Sequence, residues 1–290
     1  MCDHIVCLLD LLGQKHHLTD WSVMPLDDVL TDSMKDAIYK TADIIWHYRH
    51  QLTHYANEFN KPTIPKELIS TLPVEQQDFY YRVRDTRLRT QQFSDTFLVY
   101  APLQTSKRER TVLPVFGVLF GCCLTMLQSL ASGIPVRGGI DVGVGIELSE
   151  SNFYGPSLAT AHYLENKIAR YPRIVVCENA VSMLDAIIDG TSHFIGQDEL
   201  LNEISRRAAE DCRALLTQDD DEEWIIDYLG PHVSEVFKRL PIEPLEMNTL
   251  RMSAHAFAQK ELARFQQLAD ETHAARYSRL CAYFVRRGLE

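Results

Sequence analysis

Residues 5–13 read IVCLLDLLG, an apolar run that is interrupted at Asp10 and reaches a glycine at Gly13. Continuously apolar, β-permissive residues such as Ile5–Leu9 predict a buried strand, and a charged residue followed by glycine predicts the start of a loop. The chain therefore begins with a buried strand that leads into a loop at Asp10.

Outward from this stretch, strand and helix patterns alternate. Helices are predicted at about 32–59, between Arg110 and Gly133, and at about 156–169. A hairpin is predicted at about 87–100, followed by strands at 135–145 and 174–176. The order strand, helix, hairpin, helix, strand, helix, strand predicts an α+β fold, with a split βαβ (ferredoxin-like) sheet and helices on one face.

The remainder of the chain is predicted to be mostly helical. A helix at about 199–216 and a strand at 224–228 flank an acidic run, residues 219–223, which we expect to be a solvated turn. The tail at about 244–288 is rich in helix-forming residues. We therefore predict one domain over residues 1–240 and a helical C-terminal extension over residues 241–290.

Composition limits the classes of function. The chain has 290 residues, a net charge of −11 and a pI of about 5.5. Because a surface this acidic repels phosphate backbones, we expect no nucleic-acid partner. Seven cysteines at irregular positions without a CxxC pair indicate reduced thiols and a cytoplasmic protein.

One segment leaves a membrane alternative open. No charged residue lies between Arg110 and Arg137, and such a length could cross a bilayer. We favour a core helix that ends near Gly133 and Pro135, because a lone span would separate the two halves of the candidate site described next. We therefore expect no membrane association.

Two aspartates are the candidate metal ligands. Asp10 ends the first strand, and Asp95 lies at the tip of the predicted hairpin. Carboxylates from adjacent strands can converge on divalent ions, since Mg²⁺ prefers a few carboxylates plus substrate phosphate oxygens. The positions of Asp10 and Asp95 in the sequence do not by themselves distinguish metal ligands from residues that only form turns.

Four short motifs carry a resemblance to a known family. They are LLDLLGQK at 8–15, FSDT at 93–96, RGGIDVG at 137–143 and YGPSLATA at 154–161. In this order they resemble the motifs of class III nucleotidyl cyclases over roughly residues 5–177. The residues of these motifs are most similar to those of the pyrimidine cyclases of Pycsar anti-phage defence. The cyclic UMP or cyclic CMP that those enzymes make acts through a separate effector.

The resemblance implies an enzyme of the lyase class with the class III catalytic fold. It implies a homodimer with active sites at the interface, and two Mg²⁺ or Mn²⁺ ions per site held by Asp10, Leu11 and Asp95. The expected reaction converts UTP to 3′,5′-cyclic UMP and pyrophosphate. Conversion of CTP, a purine cyclase, and a degenerate module that only binds a nucleotide or a protein partner stay open as alternatives.

The remaining candidate residues would contact the substrate. The backbone of Leu12 and Gly13 is a candidate phosphate site. Gln91 and Asn152 fall where adenylate cyclases carry a Lys and an Asp that read adenine; amides both donate and accept, which suits a pyrimidine ring. Each could instead be a structural amide.

Two positions depart from the family pattern. Ala159 replaces the transition-state Asn, and Tyr163 replaces the transition-state Arg. The charge on the transferring phosphate must then meet another cation, and Arg137 is our first candidate. The alternatives are Lys107, Arg108, Arg170 and Arg173, or a slow or inactive protein, and Arg137 itself could form only a structural ion pair.

Overall fold

The computed structural model describes residues 2–13, 32–58, 69–71, 73–84, 86, 88–149, 152–192, 199–238 and 247–289. Two sequence predictions fall outside these residues. They are the motif positions Gln14 and Lys15, and the domain boundary at 240/241.

Within the described residues, eight strands form one mixed sheet. They are β1 (Cys2–Leu11), β2 (Arg89–Phe93), β3 (Thr96–Pro102), β4 (Val136–Ser149), β5 (Asn152–Tyr154), β6 (Ile174–Val176), β7 (Leu216–Gln218) and β8 (Trp224–Ile226). The order is β2-β3-β1-β4-β6-β8-β7, and β5 pairs with β4. β4 and β6 are parallel, whereas the other pairs are antiparallel.

The helices connect these strands and continue beyond them. They are α1 (Asp32–Glu58), α2 (Val74–Arg84), α3 (Leu113–Ala131), α4 (Pro156–Tyr163), α5 (Glu178–Ile188), α6 (Glu199–Arg213), α7 (Pro231–Lys238), α8 (Met247–Gln267) and α9 (Glu271–Arg286). One π-helical turn, Leu164–Ile168, continues α4. The predicted α+β class is confirmed, and β1 lies between β3 and β4 as a split βαβ arrangement requires.

Successive side chains of β1 point to opposite faces of the sheet, and these two faces pack against different clusters. Ile5, Cys7 and Leu9 enter the main core beneath α3, whereas Val6 and Leu8 belong to a small cluster on the opposite face. α3 is long and apolar enough to cross a membrane, but 83% of its apolar window is buried inside the fold. The structure therefore fits the core-helix interpretation of this segment.

The prediction that helices cover one face is wrong in one respect. α3 packs in the main core, but α4 lies on the opposite face, where Leu158 and Ala161 contact the small cluster around Val6 and Leu8. The apolar residues of α4 are few, and the sequence pattern did not indicate which face they would cover. The consequence is that α4 stands beside the Asp10 end of the sheet.

The C-terminal helices share the main core. Ala254 and Ala258 of α8 and Leu280 and Phe284 of α9 are buried in the same cluster as the sheet and α3. The extension therefore packs on the domain, and it is part of one continuous hydrophobic core.

The acidic run forms a turn in which residues 220–222 are exposed, as expected, but its first residue, Asp219, is an exception. Asp219 is buried and accepts hydrogen bonds from Arg173 (2.5 Å), Arg286 (2.5 Å) and the Tyr171 hydroxyl. Arg173, which is 2% exposed, also binds Asp221 through two bonds of 2.7 Å. The run thus ties the last turn of α9 to the strand β6 region, a non-local pairing that a local charge pattern cannot reveal.

The pKa values of these aspartates fall below their usual range. For Asp219, burial alone would raise the pKa, but hydrogen bonds from Tyr171 and Arg286 and the charge of Arg173 outweigh it. For Asp221, the hydrogen bonds from Arg173 dominate. Both carboxylates therefore stabilise the fold above the unfolded pKa of about 3.9, and this contribution is lost as the pH falls through their lower folded values.

Arg173→Met should lower the free energy of unfolding by about 3–5 kcal/mol at pH 7, because it removes the buried guanidinium that pairs with both Asp219 and Asp221. Urea unfolding followed by circular dichroism measures this loss. The difference from wild type should shrink as the pH falls below about 4, where the aspartates become protonated. Arg206→Met, which removes solvent-exposed ion pairs on α6, should unfold like wild type; an equal loss in both variants would contradict the assignment.

Candidate functional site

The strand register places Asp10 between two polar partners. Asp10 pairs with Thr96 of β3 on one side and with Arg137 of β4 on the other. Arg137 donates to Asp10 Oδ2 from Nη2 at 3.1 Å and from Nε at 3.3 Å, and Thr96 Oγ1 donates to Oδ1 at 3.4 Å. The carboxylate therefore stands at the end of the sheet on the face that α4 partly covers.

Asp95 lies beside this carboxylate. Its backbone oxygen accepts a hydrogen bond of 3.2 Å from Leu11 N–H, in the turn where Ser94 has a φ of 57°. Burial raises the pKa of the Asp10 carboxyl, Arg137 opposes this shift, and the charge of Asp95 raises the pKa further. The structure thus brings together Asp10, Asp95 and Arg137, the three residues predicted to carry catalysis.

Glu165 is a site residue that sequence reasoning missed. Its Oε1 lies 2.7 Å from Arg137 Nε, and its side chain is only 6% exposed. Burial raises the pKa of Glu165, the Arg137 guanidinium lowers it, and Asp10 raises it. Glu165 reaches Arg137 only because the π-helical turn carries it back over β4, and no local motif indicates that turn.

The two residues predicted to contact phosphate, Leu12 and Gly13, differ in their backbone surroundings. Leu12 N–H donates to the Pro135 carbonyl at 2.8 Å, so this amide is engaged within the fold, and its role with phosphate stays a prediction. Gly13 has a φ of 87°, a left-handed conformation that glycine adopts readily, and its role with phosphate stays a prediction.

The two candidate base-reading residues lie near one aromatic pair. Gln91 Nε2 donates to the Tyr100 hydroxyl at 3.1 Å, and the Tyr100 ring lies 4.5 Å from the Phe153 ring. Asn152 precedes Phe153 on β5 and is exposed. Since side chains alternate along a strand, Asn152 points away from the contact that Phe153 makes with Tyr100. The structure therefore places Gln91 in contact with this pair and Asn152 next to it in the chain.

The alternative cations are placed less favourably than Arg137. Arg173 is buried, and its two terminal nitrogens pair with Asp219 and Asp221. Lys107 and Arg108 follow β3, whose far end lies opposite His4 rather than Asp10. Arg170 is exposed and its Nε donates to the Lys167 carbonyl. Arg137 is therefore the candidate cation that the structure brings to Asp10.

The oxygen atoms at this end of the sheet fit a hard divalent cation. Asp10 and Asp95 offer carboxylates, and Leu11 can contribute only its main-chain carbonyl. Among the described residues, no group of three or more His, Cys, Asp or Glu side chains forms a metal cluster. Mg²⁺ does not require such a cluster, since it commonly uses one or two carboxylates together with substrate phosphates and water.

Comparisons with protein-family models, with curated proteins and with solved structures find no match to this chain. The function must therefore be argued from the motifs and from the geometry of the site.

The glycine-rich strand β4 serves internal packing at the site. A Cβ atom on Gly139 would lie 2.2 Å from the Ala161 carbonyl oxygen and 2.8 Å from Glu165 N. One on Gly138 would lie 2.5 Å from the Leu9 side chain. These glycines let neighbouring chain segments, rather than a ligand, approach β4, and Gly139 in particular allows α4 and Glu165 to come close.

Gly139→Ala should lower the free energy of unfolding by about 2 kcal/mol, because the added methyl group must push α4 away from β4. Gly143→Ala is the matched control on the same face of β4, where the nearest atoms would be 3.6 Å and 3.9 Å away. It should change stability by no more than about 1 kcal/mol. Urea unfolding of the two variants measures the difference; equal stability would contradict the close approach of α4.

Proposed function

We propose that this chain is a nucleotidyl cyclase that converts UTP to 3′,5′-cyclic UMP and pyrophosphate. The observation that carries the proposal is the register that sets Asp10 beside Thr96 and Arg137, with Asp95 in the adjoining turn. This arrangement gathers the first three of the four cyclase-like motifs at one end of the sheet. The split βαβ order is the topology that the class III catalytic fold would need.

Asp10 and Asp95, with the carbonyl of Leu11, would hold two Mg²⁺ or Mn²⁺ ions. Bound ions would lower the pKa of the ribose 3′-hydroxyl and neutralise the triphosphate. The 3′ oxygen attacks the α-phosphorus, its proton passes to solvent, and the bond to pyrophosphate breaks. The chain contributes positioning and electrostatic stabilisation, which supply most of the catalysis in phosphoryl transfer.

Arg137 supplies positive charge at the place where negative charge develops. Its guanidinium carries several N–H donors in a fixed fork that suits phosphate oxygens. It is 24% exposed, so a substrate can reach it, and its neighbours Asp10 and Glu165 limit its motion. It is our candidate for the role that Tyr163 cannot perform.

Gln91 and Asn152 would select the base. UTP presents two ring carbonyls, whereas CTP presents one carbonyl and an exocyclic amine. With amides and no carboxylate to hold that amine, the pair favours UTP. A CTP cyclase stays the nearest alternative, and a purine cyclase would need other residues to replace the Lys and Asp that adenine requires.

A homodimer would complete the site. Phe93 is 85% exposed on the face of Asp10, and Tyr163 of α4 and Tyr154 of β5 are also exposed. Exposed aromatic side chains are typical of a protein interface. The product would act in the cytoplasm through a separate effector in anti-phage defence, without a nucleic-acid or membrane partner.

One observation favours a second candidate, a degenerate cyclase fold that binds a nucleotide without turnover. Position 159 carries Ala and position 163 carries Tyr, both exposed on α4. Ala has no side-chain donor, and Tyr offers one neutral O–H in place of the charged guanidinium of the family's Arg. Retention of Asp10 and Asp95 argues for catalysis, since a binding module does not need two metal carboxylates.

Asp10→Asn and Asp95→Asn should each abolish formation of cyclic UMP, because each removes one of the charged ligands of the metal pair. Purified protein is incubated with each of the four ribonucleoside triphosphates and Mn²⁺, and products are separated by chromatography. The control Asp189→Asn, an exposed residue at the end of α5, should retain wild-type turnover. Full turnover in either site variant, with its circular dichroism unchanged, would refute the metal assignment, and a purine product would support the purine alternative.

Gln91→Ala and Asn152→Ala should each raise KM for UTP up to about tenfold with little change in kcat, because each removes one neutral hydrogen bond to the base. Gln92→Ala is the matched control, since Gln92 is exposed and donates to the Ser94 carbonyl. Steady-state kinetics with UTP and CTP test this prediction. KM values that stay at the wild-type level in both site variants would show that other residues read the base.

A further inference from the structure

The carboxylate of Glu165 contains an atom with no hydrogen bond. Within the part of the chain that the structure describes, its buried Oε1 accepts none, although Arg137 Nε lies 2.7 Å away. The Nε–H of Arg137 instead points to Asp10 Oδ2. A buried acceptor without a donor is costly, so this oxygen is suited to take the arginine in another arrangement.

Arg137 therefore stands between two carboxylates. Its Nη2–H and Nε–H are directed at Asp10, while Nε also forms a close ion pair with Glu165 Oε1. A small rotation of the guanidinium would bring its Nε–H onto Glu165 Oε1, because the two atoms already lie at hydrogen-bond distance. No backbone movement is needed.

We propose that Glu165 is a positioning residue that takes over Arg137 when a divalent cation binds Asp10. This inference rests on the proposed function, since it concerns the same metal site. A cation and the guanidinium compete for one carboxylate. Glu165 gives the guanidinium a second partner, so Asp10 is released for the metal while Arg137 stays beside the phosphate.

The structure fixes Glu165 in a position suited to this role. It lies on the π-helical turn that follows α4, and the absence of a side chain on Gly139 lets that turn contact β4. Glu165 is buried by this contact, whereas Asp10 and Arg137 are partly open to solvent. The cation would approach Asp10 from the open side and Glu165 would hold the arginine from the buried side.

The test measures Mn²⁺ binding without nucleotide, by isothermal titration calorimetry. Site-specific binding is defined as the heat that Asp10→Asn abolishes. Glu165→Gln keeps the shape of the side chain and removes its charge, so Arg137 should remain on Asp10. The dissociation constant for Mn²⁺ should then rise about tenfold, a coupling within the range found for contacting residues.

The decisive comparison repeats Glu165→Gln in an Arg137→Gln background. With no guanidinium to relocate, the second substitution should change the dissociation constant by less than about twofold. An equal weakening in both backgrounds would show that Glu165 acts by its own charge, and no weakening in either would show that it is not needed; each result overturns the inference. Circular dichroism and thermal unfolding confirm that each variant is folded.

A different outcome would separate this inference from the proposed function. If Mn²⁺ heats are the same in wild type and Asp10→Asn, both without nucleotide and with a UTP analogue that cannot cyclise, Asp10 holds no metal, and the cyclase proposal fails together with the inference. If Asp10-dependent binding is present and Glu165→Gln leaves it unchanged, only the role of Glu165 is refuted.

Discussion

The antiparallel register of β1 with β3 and β4 is the constraint on which the site depends. It sets Asp10 opposite Thr96 and Arg137. Because side chains alternate across a strand, a slip of one residue would turn Asp10 into the core and expose Leu9. Burial of Ile5, Cys7 and Leu9 beneath α3 excludes that slip. The hydrophobic core thereby fixes the position of a carboxylate that it does not contain.

The charges around Asp10 impose an order of events. Asp10 and Glu165 form ion pairs with Arg137, and the negative charge of Asp95 acts on Asp10. A triphosphate that approached this group, on a protein of net charge −11, would be repelled. In the proposed reaction, cations would therefore neutralise the carboxylates first or arrive with the nucleotide. The same excess of negative charge explains why a single arginine could be shared between two acidic partners.

Local sequence patterns predicted the strands and turns near the site better than the contacts between residues distant in the chain. Apolar runs and turn residues were enough to locate the strands around Asp10 and the hairpin at Asp95, since both depend on neighbours in the chain. The partners of the acidic run could not be predicted, because Arg173 and Arg286 reach Asp219 from distant positions. Glu165 was missed for the same reason. The face covered by α4 depended on Gly139, whose close contact with Ala161 has no signature in a single sequence.

The pairing that creates the site also governs how the chain folds. Asp10 and Arg137 are 127 residues apart. Closing so long a loop has a large entropic cost, so β1 must pair with β4 after the local helices have formed, and folding should be slow. Until then the strand that carries IVCLL is an unpaired apolar edge, open to association with other chains. Asp10, the proposed metal ligand, would gain its environment only when folding is nearly complete.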